Sequence, residues 1–258
     1  MEFEDKVQRA IPVMQSLYGE KLDEKGRAYF IPPPASGRRF AITDIHGCFE
    51  TFCRLLEKID LKKTDQLFIL GDLVDRAPYS FYVLNKVVDL ILDGFQVYCL
   101  RGNHEQIFIE LNRHITAELF AFSKRQSSLH LLDKNYNMKP GVRQFFEALP
   151  YYFETEKEFL VHAGFNTGLE NAFEDWRSML WIRGFKYKSK KLKNKSVIHG
   201  HVPTVKKEIE FEISAGRSVC LDNGCVGSQV PGYGRLLCLN LDTLKLHAKK
   251  NSDLIPVF

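Results

Sequence analysis

The sequence predicts an α/β fold, and two features of its pattern support that prediction. Short β-rich apolar runs repeat along the chain and stop abruptly at polar residues, and helical patterns with one apolar face separate the early runs. Strand, helix and strand in succession predict right-handed crossovers and parallel pairing at the start of the sheet. The final third, which contains RLLCLNLDTLKLHA, predicts antiparallel hairpins.

The composition is that of a globular protein. Of the 258 residues, 45% are apolar and 26% are charged, which excludes an intrinsically disordered chain. A net charge of +4 is too mild to indicate nucleic acid or a membrane surface. No apolar run approaches the roughly 18 residues of a membrane helix, and the start MEFEDKVQRA lacks a signal-peptide pattern, so we expect a cytoplasmic protein. The six cysteines include no C-x-x-C pair and are expected to be reduced thiols.

The beginning of the chain differs from the rest. Residues 1–37 are expected to form an N-terminal extension, a charged amphipathic segment followed by FIPPPASGRR, whose prolines favour an extended path. The main domain is expected to span residues 38–258. Its first two strands are followed by the predicted helices FETFCRLLEKI and SFYVLNKVVDLIL. The segment from about 107 to 150 is predicted to be mostly helical and polar-faced, as an insertion or a cap.

Six predicted strands end in Asp, His or Asn, with a glycine beside those residues each time. The runs are RRFAITDIHG, DQLFILGDLVDR, FQVYCLRGNHE, EKEFLVHAG, KSVIHGH and SVCLDNGC. Ligands of open α/β sheets bind outside the carboxyl ends of the strands, so we expect these side chains to gather at one rim. The set comprises Asp44, His46, Asp72, Asn103, His104, His162, His199, His201 and Asp222.

This set of residue types indicates a metal site. A carboxylate at a strand end costs free energy unless it is hydrated, paired or bound to a cation. Mixed carboxylate, carbonyl and imidazole ligands suit manganese, iron or zinc better than calcium or magnesium. No cysteine is placed among the candidates, so a structural zinc site built on thiolates is not expected.

Five blocks of the sequence occur in a known order. TDIHG, GDLVDR, GNHE, HAG and GH resemble the motifs of the calcineurin-like metallophosphoesterases and, more narrowly, those of the phosphoprotein phosphatase family with its bacterial serine/threonine phosphatases. The resemblance covers about residues 40–242 and implies two central mixed β-sheets sandwiched by helices. Thr43 and Ala77 stand where the family has glycine, and an alanine disfavours the positive φ that glycine permits.

The resemblance implies a site for two divalent metal ions, for which we expect manganese, with iron or zinc as alternatives. Asp44 and His46 would hold the first ion, and Asp72 would bridge both. The second ion would be completed by Asn103, His162 and His201. Two bridged cations can share a water whose pKa falls toward neutrality, and this hydroxide would be the nucleophile.

The same resemblance implies roles for four further residues. His104 would protonate the leaving group as general acid, and Asp75 would orient it and stabilise its charge. Arg76 would bind phosphate oxygens, and Arg183, in MLWIRG, would be the second phosphate clamp. In IHGHVP the family pattern favours the histidine directly after glycine, so His199 would support a ligand instead of binding metal.

The run FKYKSKKLKNK contains six lysines between residues 186 and 195. Such a run is either a solvated loop or a basic rim that steers an anionic substrate toward the site. A nucleic-acid partner is not expected, because no aromatic or groove-reading element lies beside it. A membrane partner is not expected either.

These features predict an enzyme. The first expectation is a metal-dependent phosphatase that hydrolyses phosphate monoesters, with phosphoserine or phosphothreonine in proteins as substrate. The alternative is a symmetrical diadenosine tetraphosphate hydrolase, which GDLVDRAPYS and LDNGCV also resemble; we take Asp75 as favouring the phosphatase. The partner is thus a phosphoprotein or a small phosphorylated molecule. A noncatalytic scaffold is disfavoured because every ligand and the acid are present. Substrate, metal pair and oligomeric state stay open at this point.

Overall fold

Ten strands and eight α-helices make up residues 2–114 and 116–253, the part of the chain that the computed structural model describes. Met1, in the predicted N-terminal extension, and residues 254–258, in the predicted main domain, lie outside the described residues. The strands are β1 (Ala28–Phe30), β2 (Arg39–Ile42), β3 (Gln66–Ile69), β4 (Gln96–Cys99), β5 (Tyr152–Glu154), β6 (Glu158–Val161), β7 (Ser196–His199), β8 (Ser218–Cys220), β9 (Arg235–Asn240) and β10 (Leu246–Lys250). The helices are α1 (Phe3–Ser16), α2 (Phe49–Lys58), α3 (Ser80–Leu92), α4 (Asn103–His114), α5 (Thr116–Arg125), α6 (Pro140–Ala148), α7 (Trp176–Trp181) and α8 (Lys206–Ala215).

The strands form two five-stranded mixed sheets, as predicted. One sheet has the order β1-β5-β6-β7-β8 and the other has the order β10-β9-β2-β3-β4. Strands β2, β3 and β4 are parallel to each other, and so are β6, β7 and β8. These six strands are the six runs with polar ends. The antiparallel pairing of β9 with β10 confirms the predicted hairpin.

Helices α2 and α3 lie where the periodicity predicts them. In α2 the buried side chains include Phe52, Leu55 and Leu56, and α3 buries Val83 and Val87 with their neighbours one turn away. Each fully buried side chain of this size contributes about 1.5–3 kcal/mol, so these apolar faces hold the helices on the sheet. Among the described residues, no helix is long and apolar enough to cross a bilayer.

Residues 2–37 pack into the rest of the molecule. Helix α1 lies against α3 and α6, and its Val7, Ala10 and Met14 are fully buried. Lys6 Nζ donates to Asp89 Oδ1 at 2.8 Å. Strand β1 extends the first sheet by parallel pairing with β5. A domain boundary at residues 37 and 38 stays a prediction, but the segment before it contributes to the core.

The segment from 107 to 150 is helical, as predicted, but its inner face is apolar. Phe108, Phe145 and Phe146 are fully buried and belong to the cluster that contains the sheet residues. The expectation of a polar-faced insertion or cap did not include this apolar inner face, and whether the segment is an insertion or a cap stays a prediction. Aromatic side chains anchor this segment to the core, and the loop after α5 reaches the site described below.

A buried ion pair joins the two sheets at the amino ends of β2 and β6. Arg39 Nη1 donates to Glu158 Oε2 at 2.8 Å, and Arg39 Nε donates to Asp242 Oδ1 at 2.7 Å. The side chains of Arg39 and Glu158 are each 8% exposed. Because breaking such a pair leaves a charge without a partner in a dry environment, it holds the sheets in register.

Candidate metal and phosphate site

The polar residues that follow the six parallel strands converge at one rim, as their positions predict. Asp44 and His46 follow β2, Asp72 follows β3, and Asn103 begins α4 directly after β4. His162, His201 and Asp222 follow β6, β7 and β8. Every one of these side chains is at least nine-tenths buried. The rim is therefore a polar site with low access to bulk water.

The backbone at this rim is strained. Asp44, His46, Asp72 and His201 all have a positive φ, between 48° and 72°, a region that non-glycine residues rarely adopt. Such conformations cost about 1–3 kcal/mol each and persist where surrounding structure enforces them. The neighbouring glycines explain how the chain fits, since a Cβ at Gly102 would lie 2.1 Å from Asp72 Oδ1. Gly200 is equivalent, since a Cβ there would lie 2.0 Å from Asp44 Oδ2, so these two glycines provide room for the carboxylates of Asp72 and Asp44.

Asp72 lies at the centre of the site. Its Oδ2 is 3.4 Å from His46 Nε2 and its Oδ1 is 3.6 Å from His162 Nε2. Two groups of possible metal ligands share this carboxylate, one formed with His46 and His104 and the other with His162 and His201. Within each group the ligand atoms lie within 4.8 Å of one another. The arrangement offers two adjacent ligand sets with a common carboxylate.

Asn103 and Asp44 complete these sets. Asn103 Oδ1 lies 2.9 Å from His162 Nε2 and 2.9 Å from His201 Nδ1. His201 Nε2 is buried and has no hydrogen-bond partner among the described residues. Asp44 Oδ2 accepts a bond from the His201 backbone N–H at 3.1 Å. The nitrogen of His201 that converges with the other candidate ligand atoms is Nδ1. Because His162 donates its Nδ1 proton to the Leu70 carbonyl, His162 Nε2 and Asn103 Oδ1 face each other as two acceptors, which is expected of ligands that share a metal ion.

The carboxylates of the site lack a cation. Burial, Asp222 and Asp72 raise the pKa of Asp44 well above its ordinary value, and burial together with Asp72 raises that of Asp222 to about 6. Burial also disfavours ionised Asp72, but the surrounding histidines outweigh it and lower its pKa. In the described part of the chain, no lysine or arginine forms an ion pair with any of the three. Divalent metal ions fit this donor set, because they supply the missing positive charge.

Three histidines have the protonation state that a metal requires. Burial lowers the pKa of His46 and His162, and it lowers that of His201 to about 3. His46 Nδ1 lies 2.8 Å from the Val74 carbonyl and His162 Nδ1 lies 2.9 Å from the Leu70 carbonyl, so each ring directs Nε2 into the site. Neutral imidazoles leave the positive charge of a bound cation available to an anionic substrate.

His104 differs from these three histidines. Burial lowers the pKa of His104, but Asp72 and Asp75 raise it by more, so that it lies above the ordinary value. His104 Nδ1 is 2.5 Å from Asp75 Oδ2. The other oxygen of Asp75 accepts a short hydrogen bond from the hydroxyl of Ser128. The contacts of Asp75 with His104 and Ser128 therefore favour the protonated form of His104 and leave its second ring nitrogen to face the site.

The sequence gives no hint of Ser128. It lies in the helical segment first interpreted as a cap, 53 positions from Asp75, and no motif contains it. Ser128 is fully buried, and its hydroxyl is also 3.0 Å from the Gln126 carbonyl. Gln126 in turn accepts a bond from the Arg76 backbone N–H at 2.9 Å. One loop thus supports both the acid candidate and the backbone of an arginine candidate.

Glu105 belongs to the GNHE block, but the sequence pattern assigned it no role. Its two oxygens accept bonds from the backbone N–H groups of Gly102, Asp72 and Leu73 at 2.7, 3.0 and 2.9 Å. Burial and the charge of Asp72 raise its pKa to about 7. Glu105 joins the loops that follow β3 and β4 and holds Asp72 in its strained conformation. Its position in a ligand-bearing block was the available signal.

The two arginine candidates lie exposed at the rim. The charge of Arg76 lowers the pKa of His46, and that of Arg183 lowers the pKa of His201. Both guanidinium groups therefore lie close enough to the candidate ligands for their charge to act on them. Ala77 does not adopt the positive φ considered from the sequence; the left-handed residues are Asp75 and Arg76, with φ of 74° and 68°.

His199 does not join the ligands. Its Nε2 lies 3.2 Å from Ser218 Oγ and its Nδ1 lies 3.3 Å from the Gly200 carbonyl. Burial lowers its pKa to about 4. Its ring contacts Phe185 edge to face. The geometry thus agrees with the choice of His201 over His199 as a candidate ligand.

Comparison with known proteins gives the following relatives. The family model described as calcineurin-like phosphoesterase matches residues 38–228. A symmetrical bis(5'-nucleosyl)-tetraphosphatase from Buchnera aphidicola is 36% identical over 127 residues, covering 48% of this chain and 43% of the relative. An asymmetrical bis(5'-nucleosyl)-tetraphosphatase from Bacillus cereus is 26% identical over 137 residues, covering 48% of this chain and 56% of the relative. This chain thus spans about half the length of the curated relatives it matches.

Solved structures share the fold at low identity. A protein serine/threonine phosphatase from Saccharomyces cerevisiae has a TM-score of 0.62 at 15% identity, covering 99% of this chain and 90% of that one. A metallophosphoesterase from Sphaerobacter thermophilus has a TM-score of 0.53 at 17% identity, covering 85% of this chain and 89% of that one. Similarity at this level of identity concerns the fold alone.

Proposed function

The chain belongs to the calcineurin-like phosphoesterase family, and from that premise we propose that it hydrolyses the phosphoanhydride chain of dinucleoside tetraphosphates. The observation that carries the proposal is that the two curated relatives described above are named for this activity. This observation ranks a diadenosine tetraphosphate hydrolase above a protein serine/threonine phosphatase, which was the first expectation. One relative is named a symmetrical tetraphosphatase and the other an asymmetrical one, so the position of cleavage in the tetraphosphate is part of the test.

Two divalent ions, with manganese as our first choice, supply a nucleophilic water at neutral pH and offset phosphate charge when bound. Asp44, His46, Asp72, Asn103, His162 and His201 would hold them. Arg76 and Arg183 bind the oxygens of the attacked phosphate from either side, since an exposed guanidinium at the rim can reach a phosphate and bind it through two N–H groups. Burial of the six ligands limits the access of bulk water to the reacting phosphate.

His104 donates its proton to the leaving oxygen. Asp75 accepts the Nδ1 proton of His104, so the Nε2 proton is the one presented to the substrate. Ser128 holds the second oxygen of Asp75 and keeps the carboxylate aligned. A departing nucleoside phosphate is a better leaving group than a serine alkoxide and needs less help from an acid. His104 is therefore expected to matter less for a tetraphosphate than for a phosphoserine.

A phosphomonoesterase acting on phosphoserine or phosphothreonine is the second candidate. The observation that favours it is the elevated pKa of His104 beside Asp72 and Asp75, because an alkoxide leaving group depends strongly on a nearby acid. The same ligand set serves both reactions. The two candidates differ in substrate and in their dependence on His104.

A paired assay separates the candidates. Purified protein is stripped of metal and supplied with Mn²⁺, and products from diadenosine tetraphosphate and from a phosphothreonine peptide are quantified. We expect faster turnover of the dinucleotide, and two ADP indicate symmetrical cleavage whereas ATP with AMP indicates asymmetrical cleavage. His104→Ala is expected to decrease peptide hydrolysis by about 10²–10⁴-fold and dinucleotide hydrolysis by less.

His247→Ala is the matched control, because His247 lies on β10 beside Phe40, away from the site. It should leave both rates unchanged. Preferred turnover of the phosphopeptide would overturn the proposal and support the second candidate. Turnover of neither substrate would contradict both.

A further inference from the structure

A cavity opens beside the proposed site, on the side of Arg183. Its volume is about 240 Å³, and residues 165–168, just after His162, form one wall. The other wall comes from Ile182, Gly184, Lys186 and Lys188, on either side of Arg183. Both walls are therefore continuous in sequence with residues proposed to act on phosphate.

Close packing fixes the two walls to each other. A Cβ at Gly164 would lie 2.8 Å from the Phe185 ring and 3.2 Å from Ile182 Cγ2, so these side chains press on the backbone two residues after His162. Thr167 Oγ1 donates to the Lys186 carbonyl at 2.8 Å. These contacts hold the lysine-bearing wall in a set position relative to His162.

The lining is basic. It contains Lys186 and Lys188 and no carboxylate. Both lysines are exposed, and in the described part of the chain neither forms an ion pair. By contrast, Lys193 and Lys195 of the same run bind Glu154 at 2.8 and 2.7 Å. The lysine run is thus neither a uniform solvated loop nor a uniform basic rim, because part of it is structural and part lines the cavity.

We propose that this cavity binds the phosphates of the substrate that lie beyond the attacked one, as a polyphosphate subsite. The inference rests on the proposed function and specifies where the remaining phosphates of the substrate would bind. Pockets that enclose a whole small ligand have about 300–1,000 Å³, so a cavity of 240 Å³ fits part of one. Phe165 is the lining aromatic residue and is 1% exposed, which leaves no ring face for a nucleobase. Cationic lysines with no protein partner favour phosphate oxygens.

Inhibition by inorganic tripolyphosphate tests the subsite. With p-nitrophenyl phosphate as reporter and excess Mn²⁺, the inhibition constants of tripolyphosphate and of inorganic phosphate are measured for the wild type and for Lys186→Ala/Lys188→Ala. We expect the inhibition constant of tripolyphosphate to rise by about tenfold in the double variant, as the loss of two exposed charge contacts allows. The inhibition constant of inorganic phosphate should rise by much less. The ratio of the two constants is the readout.

Lys25→Ala/Lys190→Ala is the control, because it removes the same charge from two exposed lysines that do not line the cavity. Its ratio should match the wild type. An unchanged ratio in Lys186→Ala/Lys188→Ala would overturn the subsite, as would an equal change in the control, which indicates general electrostatic attraction. Because the reporter is an aryl phosphate, this test can succeed or fail whether or not dinucleoside tetraphosphates are hydrolysed.

Discussion

The two ends of the same strands hold carboxylates in opposite electrostatic situations. At the amino ends, Glu158 is paired with Arg39 across the sheets, and Asp65, just before β3, accepts two bonds from the side chain of Arg38 at 2.6 and 3.2 Å. At the carboxyl ends, the carboxylates face other carboxylates and histidines, and no lysine or arginine of the described residues forms an ion pair with them. The residues of this second group are Asp44, Asp72 and Asp222.

This contrast shows how a structural charge differs from a functional one in this protein. A buried carboxylate with an arginine partner is complete within the fold, so the pair can only stabilise or destabilise the chain. A buried carboxylate without such a partner either takes up a proton, as the raised pKa values of Asp44 and Asp222 indicate, or is neutralised by a bound cation. The position along the strand decides which case applies, because only the carboxyl ends of the parallel strands converge on one rim. Substitutions at the two ends should therefore have different consequences.

The largest effect is expected from Asp72→Asn at the carboxyl end. Because Asp72 is shared by both ligand sets, its loss should decrease activity by more than the roughly 100-fold that loss of a supporting residue can cost. Bound metal, measured by elemental analysis, should fall in parallel. In the metal-free protein, urea unfolding should also show a loss of stability at pH 7, since the lowered pKa of Asp72 means that the surrounding histidines stabilise its ionised form.

Asp60→Asn is the control for this substitution, because the Asp60 side chain is 74% exposed on the surface. It should retain both metal and activity. If Asp72→Asn bound the same amount of metal as the wild type, the proposal that Asp72 is a ligand common to both sets would be contradicted.

The next effect concerns the amino end, where Glu158→Gln should destabilise the fold without changing metal content. Arg39 would keep only Asp242, whose side chain is 40% exposed, and we expect a loss of about 3 kcal/mol in the free energy of unfolding. Urea titration of the metal-free protein measures it. Asp242→Asn should cost less, because that carboxylate is partly solvated; equal costs for the two variants would contradict the ranking.

A smaller effect is expected at Asp65, and it should depend on pH. Burial raises the pKa of Asp65, but hydrogen bonds from Arg38 and from the Lys62 backbone outweigh burial and lower it below its ordinary value of 3.8. The stabilisation is complete above the ordinary value and is lost as pH falls through the lower folded-state pKa. Asp65→Asn should therefore cost about 2 kcal/mol at pH 7, and the two proteins should converge in acid.

Thermal unfolding of the wild type and of Asp65→Asn between pH 7 and pH 2 provides the comparison. Glu57→Gln, on the exposed face of α2, serves as the surface control and should differ little from the wild type at any pH. A stability gap between wild type and Asp65→Asn that widens in acid would show that the sign of the shift is wrong.

The smallest effect is expected from Ser128→Ala, which tests the support behind His104. Removing a hydrogen bond to a charged carboxylate should decrease kcat for an alkyl phosphate by about tenfold. A p-nitrophenyl ester should be less affected, because its leaving group needs little protonation. Ser214→Ala removes an exposed serine hydroxyl on α8 and is the matched control. Equal losses on both esters would indicate a general structural role for Ser128.

Much of the fold could be predicted because its signals are local. The runs that became β2, β3 and β4 alternate with helices whose apolar faces are evident from spacing, and glycine marks each polar strand end. The aromatic anchors of the segment from 107 to 150 were harder to assign, because the burial of Phe108, Phe145 and Phe146 depends on contacts with segments that are distant in sequence. The packing of α1 also depends on partners in α3 and α6, far along the chain.

The candidate ligands could likewise be named from the sequence, since each belongs to a short block at a strand end. Ser128 could not, because its role depends on which loops meet in space. The lysine run of residues 186–195 was evident from the sequence, but which of its lysines line the cavity was not. Glu105 is an intermediate case, since it lies inside a block but acts on the backbone of Asp72 across two loops. Contacts between distant segments leave no periodic signal in the chain.

The sequence by itself determined which runs are apolar and which of them end in Asp, His or Asn. It also determined that these residue types together suit a metal ion. These properties are carried by neighbouring residues and by the period of side-chain alternation. Only the tertiary structure decided that Asp65 is neutralised by Arg38 whereas Asp44 is not, that Ser128 supports Asp75, and that Lys186 and Lys188 line a cavity. The reason is that charge pairing and cavity shape depend on distances between segments that are far apart in sequence.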